Sequence, residues 1–338
     1  MPTWGELLQE LGQIAQAQVM AQQAGGPPPT AGPADLLRRK YLDLLHQHTA
    51  RAVIYYGTAW HETRPINPQS LSVDLGDIRG FMEACSNIGE REVDLVLHSP
   101  GGNPDAAESV MNYLRERFDH IRAVVPLAAM SAATMMALAC DEIVMGAHSQ
   151  LGPIDPQITV MTPEGPRTAP AQAIKDQFEM AQEDCARDPS RLAAWMPLLR
   201  SLGPGLLSIC DTAQQRTVEF VARQLEERML HGRPTEGRAA ADWFADHGYF
   251  KSHGRNVTRN DARAQGIVVT DLEDDDVLQD RVLSVSHAAQ VTFSSTPCVK
   301  LIENHNGRCY LSLEGQQIIV GPGPFGPQPP GAQWPSPM

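Results

Sequence analysis

Two short segments hold residue types suited to acyl transfer. In Leu97-His98-Ser99-Pro100-Gly101-Gly102, a proline and two glycines follow an apolar run directly. A turn of this kind presents backbone N–H groups with no Cβ to shield them, so they can point at an anionic oxygen. After the next apolar run comes Ala128-Ala129-Met130-Ser131-Ala132-Ala133-Thr134, a serine among small residues where strand should give way to helix. There a hydroxyl sits near the positive end of a helix dipole, and the flanking alanines let a substrate backbone come close. The N–H of Ala132 adds a second donor for a developing oxyanion. Each segment also has a plain structural reading, an ordinary turn in one case and an N-cap serine in the other. Their value lies in combination. Neighbouring parallel strands would bring both turns to one sheet edge, setting a nucleophile beside backbone donors.

The elements that must position them are legible in the periodicity. The runs at 52–57, 93–99 and 123–128 are short, apolar and β-branched, as buried parallel strands are. Between them, Leu75, Ile78, Phe81, Met82 and Cys85 mark one amphipathic helix. Ala107, Val110, Met111, Leu114 and Phe118 mark the next, with Asn103-Pro104 as its cap and first turn. This alternation predicts an α/β fold with right-handed crossovers and a site at the carboxyl ends of the strands. From about 160 to 250 the pattern is mostly helical, a cap over the α/β core. Residues 1–37 read as a helix followed by a Pro/Gly linker, and 313–338 as a disordered Pro/Gly-rich tail. The core would then be 38–312, with deletion of the first 33 residues leaving it folded.

Composition narrows the class further. In 338 residues the formal charge is −13 and 42% are hydrophobic, which describes a globular protein and disfavours nucleic acid or an anionic membrane as partner. The six cysteines form no CxxC pair and no histidine cluster stands at metal-ligand spacing, so neither metal nor cofactor is expected. No GxxxxGK[ST] occurs, so no ATPase is encoded. Neither a signal sequence nor a long apolar run is evident, giving a cytoplasmic expectation.

The order Ser99-Pro100-Gly101-Gly102, a strand, then the stretch from Ala129 through Ile158 resembles the SppA- and ClpP-like serine peptidases, and within them the serine dehydrogenase proteinase family. The likeness continues in Ser252-His253-Gly254-Arg255, in 261–268 and in 303–308. It implies a ClpP/crotonase-like spiral of βαβ units with a helical insertion. It also implies Ser131 as nucleophile, Gly101, Gly102 and Ala132 as oxyanion-hole positions, peptide or unfolded-polypeptide substrates, and homo-oligomers. The ClpP triad histidine would fall near Ile154-Asp155-Pro156, where none stands. SppA-like members pair serine with lysine. Lys175 follows Ser131 at a similar separation, and only Lys40, Lys251 and Lys300 compete with it. On a helix, residues 171, 174, 175 and 178 share one face, so Lys175 is expected to project from an apolar stripe and act as general base. Asp155 reads as a turn former or an orienting group for the base. His98 reads as a core histidine, and His253 and Arg255 as bracing residues. A serine endopeptidase with a Ser131–Lys175 dyad is the expectation, against a crotonase-type acyl-CoA enzyme or an inactive peptidase-fold scaffold.

Overall fold

The computed structural model describes residues 3–162, 165–203, 205–314 and 316–320. Two helices come first, α1 (Trp4–Gln23) and α2 (Pro33–Thr49). Strand β1 (Ala52–Thr58) is followed by the short α3 (Pro68–Leu71) and α4 (Asp77–Ala84), and β2 (Glu92–His98) by α5 (Pro104–Arg117). Asn103 caps α5 with its Oδ1, which accepts from the Asp105 N–H at 2.8 Å, as the Asn-Pro pair predicts. Then come β3 (His120–Val125), β4 (Ala128–Ala129), α6 (Ala132–Leu138), β5 (Glu142–Met145) and β6 (Gln150–Leu151).

The main sheet has the order β12-β11-β10-β1-β2-β3-β5-β9. Strands β1, β2, β3, β5 and β9 (Val269–Asp271) run parallel. On the other side β10 (Cys298–Asn304), β11 (Cys309–Leu313) and β12 (Gln316–Val320) are antiparallel. Alternate residues of β1 serve opposite faces. Ala52, Ile54 and Tyr56 join one core with α4, α5 and α6, while Val53 and Tyr55 join a second with α2 and α13 (Asp276–Ser295). The α/β expectation holds, with helices covering both faces of a parallel-rich sheet.

The segment expected to be helical from about 160 opens instead with an antiparallel hairpin, β7 (Gln157–Thr162) and β8 (Gly165–Pro170). Only then come α7 (Ala171–Arg187), α8 (Leu192–Leu202), α9 (Leu206–Glu227), α10 (Pro234–Ala245), α11 (His247–Phe250) and, past a loop, α12 (Arg259–Ala264). The hairpin is short and carries threonines and prolines, so its alternation is too brief to stand out against the helical run behind it. At the chain's end the sheet continues beyond 312 to Val320, and the expected tail from 321 onward lies outside the described residues.

Helix α1 is docked rather than free. Leu7 is wholly buried in the α2/α13 core, with Leu11 and Ile14 packed beside it. Glu10 accepts from Lys40 Nζ at 2.5 Å and from Tyr41 Oη at 2.7 Å. Removing residues 1–33 therefore uncovers apolar surface instead of trimming an arm. We predict that Leu7→Ala lowers unfolding free energy by about 2–4 kcal/mol in urea titrations, as cavity-forming Leu→Ala changes do. An unchanged midpoint would mean that α1 does not stay docked in solution.

Candidate active site

The two turns singled out from sequence are adjacent. Ser99 and Ala129 form a parallel bridge, with the Ser99 N–H donating to Ala128 O at 3.1 Å and the Met130 N–H to Ser99 O at 2.9 Å. Ser131 then opens α6 at φ 52° and ψ −120°, and its side chain makes no capping hydrogen bond. Positive φ is costly for a residue with a Cβ, about 1–3 kcal/mol, and is kept only where the surroundings impose it. The surroundings here are evident. Thr134 Oγ1 donates to Ala129 O at 2.7 Å and accepts from the Gly152 N–H at 3.0 Å, tying the end of β4 to the first turn of α6.

The glycines have separate tasks. A Cβ on Gly101 would lie 2.4 Å from Met130 O, 2.6 Å from Ser131 Cβ and 2.8 Å from the Ala132 nitrogen, so only glycine lets this turn lie against the serine and leaves that nitrogen uncovered. The Gly101 N–H itself donates to Ser99 Oγ at 3.2 Å. Gly102 is bridged in parallel to Val73 through Val73 N–H to Gly101 O at 2.8 Å and Asn103 N–H to Val73 O at 2.9 Å. In such a bridge the N–H of the central residue faces away from its partner, and for Gly102 that is the side of the cavities it lines with Ser131. The free donors beside Ser131 are thus Gly102 and Ala132, with Gly101 as the spacer between them.

The strand opposite Gly102 is itself anchored. Lys300, buried on β10, donates to Ser72 O at 2.8 Å, Asp74 Oδ2 at 2.7 Å and Asp77 Oδ1 at 2.6 Å. Burial raises the Asp77 carboxyl above its usual range while Lys300 pulls it back. Tyr56 Oη donates to the second Asp77 oxygen at 2.8 Å. Lys300, one of the three lysines that compete with Lys175 in the sequence, thus holds the segment that fixes Gly102.

Lys175 is not brought to Ser131. Its ammonium lies 2.6 Å from Asp211 and 3.2 Å from Gln214 Oε1, both on α9, and it lines neither cavity that Ser131 lines. The expected stripe is real, since Ala171 and Ile174 are buried, but they pack with Leu206 and Cys210 of the insertion and not against the main core. His148, seven residues before Asp155, is engaged with Pro126 O at 2.9 Å.

Instead the structure delivers His253 and Asp155. His253 lines the same cavity as Ser131, Gly101 and Gly102, and its Nδ1 lies 2.6 Å from Asp155 Oδ1. Asp155 is almost wholly buried and also meets His247 Nδ1 at 3.0 Å and Gln157 Nε2 at 2.9 Å. With Nδ1 facing a carboxylate, the neutral ring carries its proton there and keeps Nε2 as the lone-pair nitrogen. The loop bearing His253 is pinned by a reciprocal pair between Leu151 and Val257 at 2.9 Å each way, which ties it to β6 and so to β4 and Ser131. His98, by contrast, is a core residue as expected, its pKa pushed down to about 3 by burial and by His61.

Among the described residues one group could be considered for a metal, His46, Glu90 and His305 at the amino end of β1. His305 Nδ1 accepts from the Val53 N–H at 3.1 Å, so its proton sits on Nε2, 3.8 Å from Glu90. In that tautomer His305 presents no lone pair to the group. No helix among the described residues is long and apolar enough to cross a membrane.

A strained serine beside open backbone donors is an arrangement able to carry out acyl transfer. Residues 77–184, which include both turns and Asp155, match the family model of ClpP-like SDH-type serine proteinases. Two uncharacterized proteins of Methanocaldococcus jannaschii are similar over parts of their length. One is 34% identical over 105 residues, covering 31% of this chain and 34% of the relative, and the other is 41% identical over 66 residues, covering 20% and 23%. The matches thus span about a third or less of those relatives. A point mutant of a membrane-bound stomatin-specific protease aligns structurally over 59% of this chain and 75% of its own, with TM-score 0.37 and 14% identity.

The glycine turn yields a direct prediction. Gly101→Ala should displace Ser131 or cover the Ala132 N–H, lowering turnover at least about a hundredfold, the scale of losing one oxyanion donor. Fluorogenic peptide assays on protein whose fold is verified by circular dichroism would read this, and full activity would show that the turn has slack.

Proposed function

We propose that the protein is a serine endopeptidase in which Ser131 is the nucleophile, His253 the general base and Asp155 its orienting partner. The observation that carries this reading is the shared cavity. Ser131, Gly102 and His253 line it together, and His253 turns its Nδ1 to a buried carboxylate.

The chemistry follows from these positions. His253 Nε2 accepts the Ser131 proton as Oγ attacks the scissile carbonyl. Asp155 holds the ring in the required tautomer and stabilises the imidazolium that forms. The N–H groups of Gly102 and Ala132 receive the carbonyl oxygen as it gains negative charge, aided by the amino end of α6. His253 then returns the proton to the leaving amine, and a water deprotonated by the same ring releases the acyl group from Ser131. Extended polypeptide suits the site because the glycines and alanines around Ser131 let a substrate main chain come close. Lys175 remains a second candidate for the base only through its sequence separation from Ser131, and its ion pair with Asp211 argues for a structural role.

The test is incubation with unfolded protein followed by mass-spectrometric detection of new N-termini. Peptide products that carry newly exposed amines support endopeptidase action. An intact substrate, together with turnover of a CoA thioester, would instead point to the acyl-CoA enzymes that use the same oxyanion device.

A further inference from the structure

Two cavities meet at Ser131, and the residues common to both are Gly102, Ser131 and Gln157. Gln157, the first residue of β7, therefore stands where the cavities join, beside the nucleophile. Gly102 and Ser131 have tasks in the chemistry proposed above, whereas Gln157 has none beyond its contact with Asp155.

The Gln157 amide is oriented. Its Nε2 donates to Asp155 Oδ2 at 2.9 Å and to Asp155 O at 3.2 Å, and both of these acceptors would repel a carbonyl oxygen in its place. Oε1 is thus the end turned away from Asp155. No donor among the described residues meets it, and the half-buried side chain lines both cavities, so Oε1 is an acceptor open to their contents.

Resting on the peptidase reading above, this position selects the reactant that Oε1 meets. The ring that protonates the departing amine must reach it, so the leaving group exits through the cavity that His253 lines. The water that releases the acyl group enters by the same path. It must give one hydrogen to His253 Nε2 while its oxygen faces the ester carbon, and without an acceptor for the second hydrogen it is free to turn. Besides Ser131 and His253, the side chains of this cavity able to accept a hydrogen bond are Gln157 and Ser72. Ser72 turns its hydroxyl to Pro68 O at 3.1 Å and does not line the second cavity.

We propose that Gln157 is a catalytic residue of deacylation, its Oε1 accepting the second hydrogen of the attacking water and fixing that water between His253 and the acyl carbon. The step balances within the site. The water oxygen bonds to the carbonyl carbon as one proton passes to His253 Nε2, and the tetrahedral species collapses by breaking its bond to Ser131 Oγ, which takes that proton from the ring. The hydrogen held by Gln157 stays on the product acid until solvent removes it. Acylation makes no such demand, because the attacking oxygen then belongs to Ser131 and is held by the chain.

The experiment uses the full chain, a peptidyl p-nitrophenyl ester and added methanol. Methanol has a single O–H, which it gives to His253, so its attack does not need the Gln157 acceptor. The ratio of methyl ester to acid among the products reads deacylation alone, whichever step limits turnover. Gln157→Leu, similar in size and without the acceptor, should slow hydrolysis of the acyl-enzyme about ten- to a hundredfold, the scale of a misplaced reactant. It should raise the methyl ester-to-acid ratio by the same factor and let acyl-Ser131 accumulate in intact-protein mass spectra. Phosphonylation of Ser131 by a small fluorophosphonate should stay within a few-fold of wild type, since His247 and His253 still hold Asp155. Gln157→Met repeats the measurement if the leucine variant does not fold. An unchanged product ratio overturns the proposal. So does phosphonylation slowed as far as hydrolysis, which would make Gln157 a support for Asp155 only. Wild-type protein that shows neither phosphonylation nor ester cleavage overturns the peptidase reading, and this proposal with it.

Discussion

Ser131→Ala should abolish peptide hydrolysis, with kcat reduced by more than about a thousandfold, because no other hydroxyl can take over attack from that position. Peptide turnover in protein purified free of host proteases reads this directly. The variant should fold as the wild type does, since alanine at φ 52° bears the same backbone strain as serine. Ser131→Gly separates the two effects. It should be equally inactive, yet more stable than the alanine variant by about 1–2 kcal/mol in urea, because glycine takes positive φ without cost. A stability gain on loss of function is what a strained catalytic turn predicts. If glycine and alanine variants unfold together, the strain at Ser131 is not real in solution.

The second large effect concerns the base. His253→Gln and Asp155→Asn should each lower kcat by about 10³–10⁴, the scale found when the base or its orienting carboxylate is removed from such triads. Two comparisons give this meaning. His247→Gln removes the other histidine on Asp155, which does not line the Ser131 cavity, and should keep activity within a few-fold. Lys175→Ala should do likewise, because its ammonium is engaged with Asp211 and Gln214. Loss of activity in Lys175→Ala with retention in His253→Gln would restore the serine–lysine pairing and reverse the assignment.

How much of this could be read from sequence depends on range. Asn103-Pro104 announces the start of α5 because capping is local chemistry, and the β-branched runs announce β1 and β2 because burial on both faces leaves a continuous apolar string. Ser131 and the Gly101-Gly102 pair were legible for a related reason, as each sits immediately after a strand and needs small residues around it. The proposed base was not legible. His253 and Asp155 stand 98 residues apart, and they meet only because the loop after α11 is pinned to β6 by the Leu151–Val257 pair. The sole local signal was a carboxylate set between Ile154 and Pro156 in an apolar stretch, where an acid has to find a partner. For Lys175, helical spacing gives the face of α7 but not what that face packs against. The anchoring role of Lys300 is hidden for the same reason, since it holds residues 72–77 against the glycine turn from far along the chain.

The central claim, that Ser131 is an activated nucleophile served by His253, is tested most directly by peptide mapping after reaction with a fluorophosphonate. The account predicts a single phosphonylated site, Ser131, labelled rapidly in wild type, slowed by about a thousandfold in His253→Gln, and absent in Ser131→Ala. Labelling at another serine, or no labelling of folded wild-type protein, would contradict it.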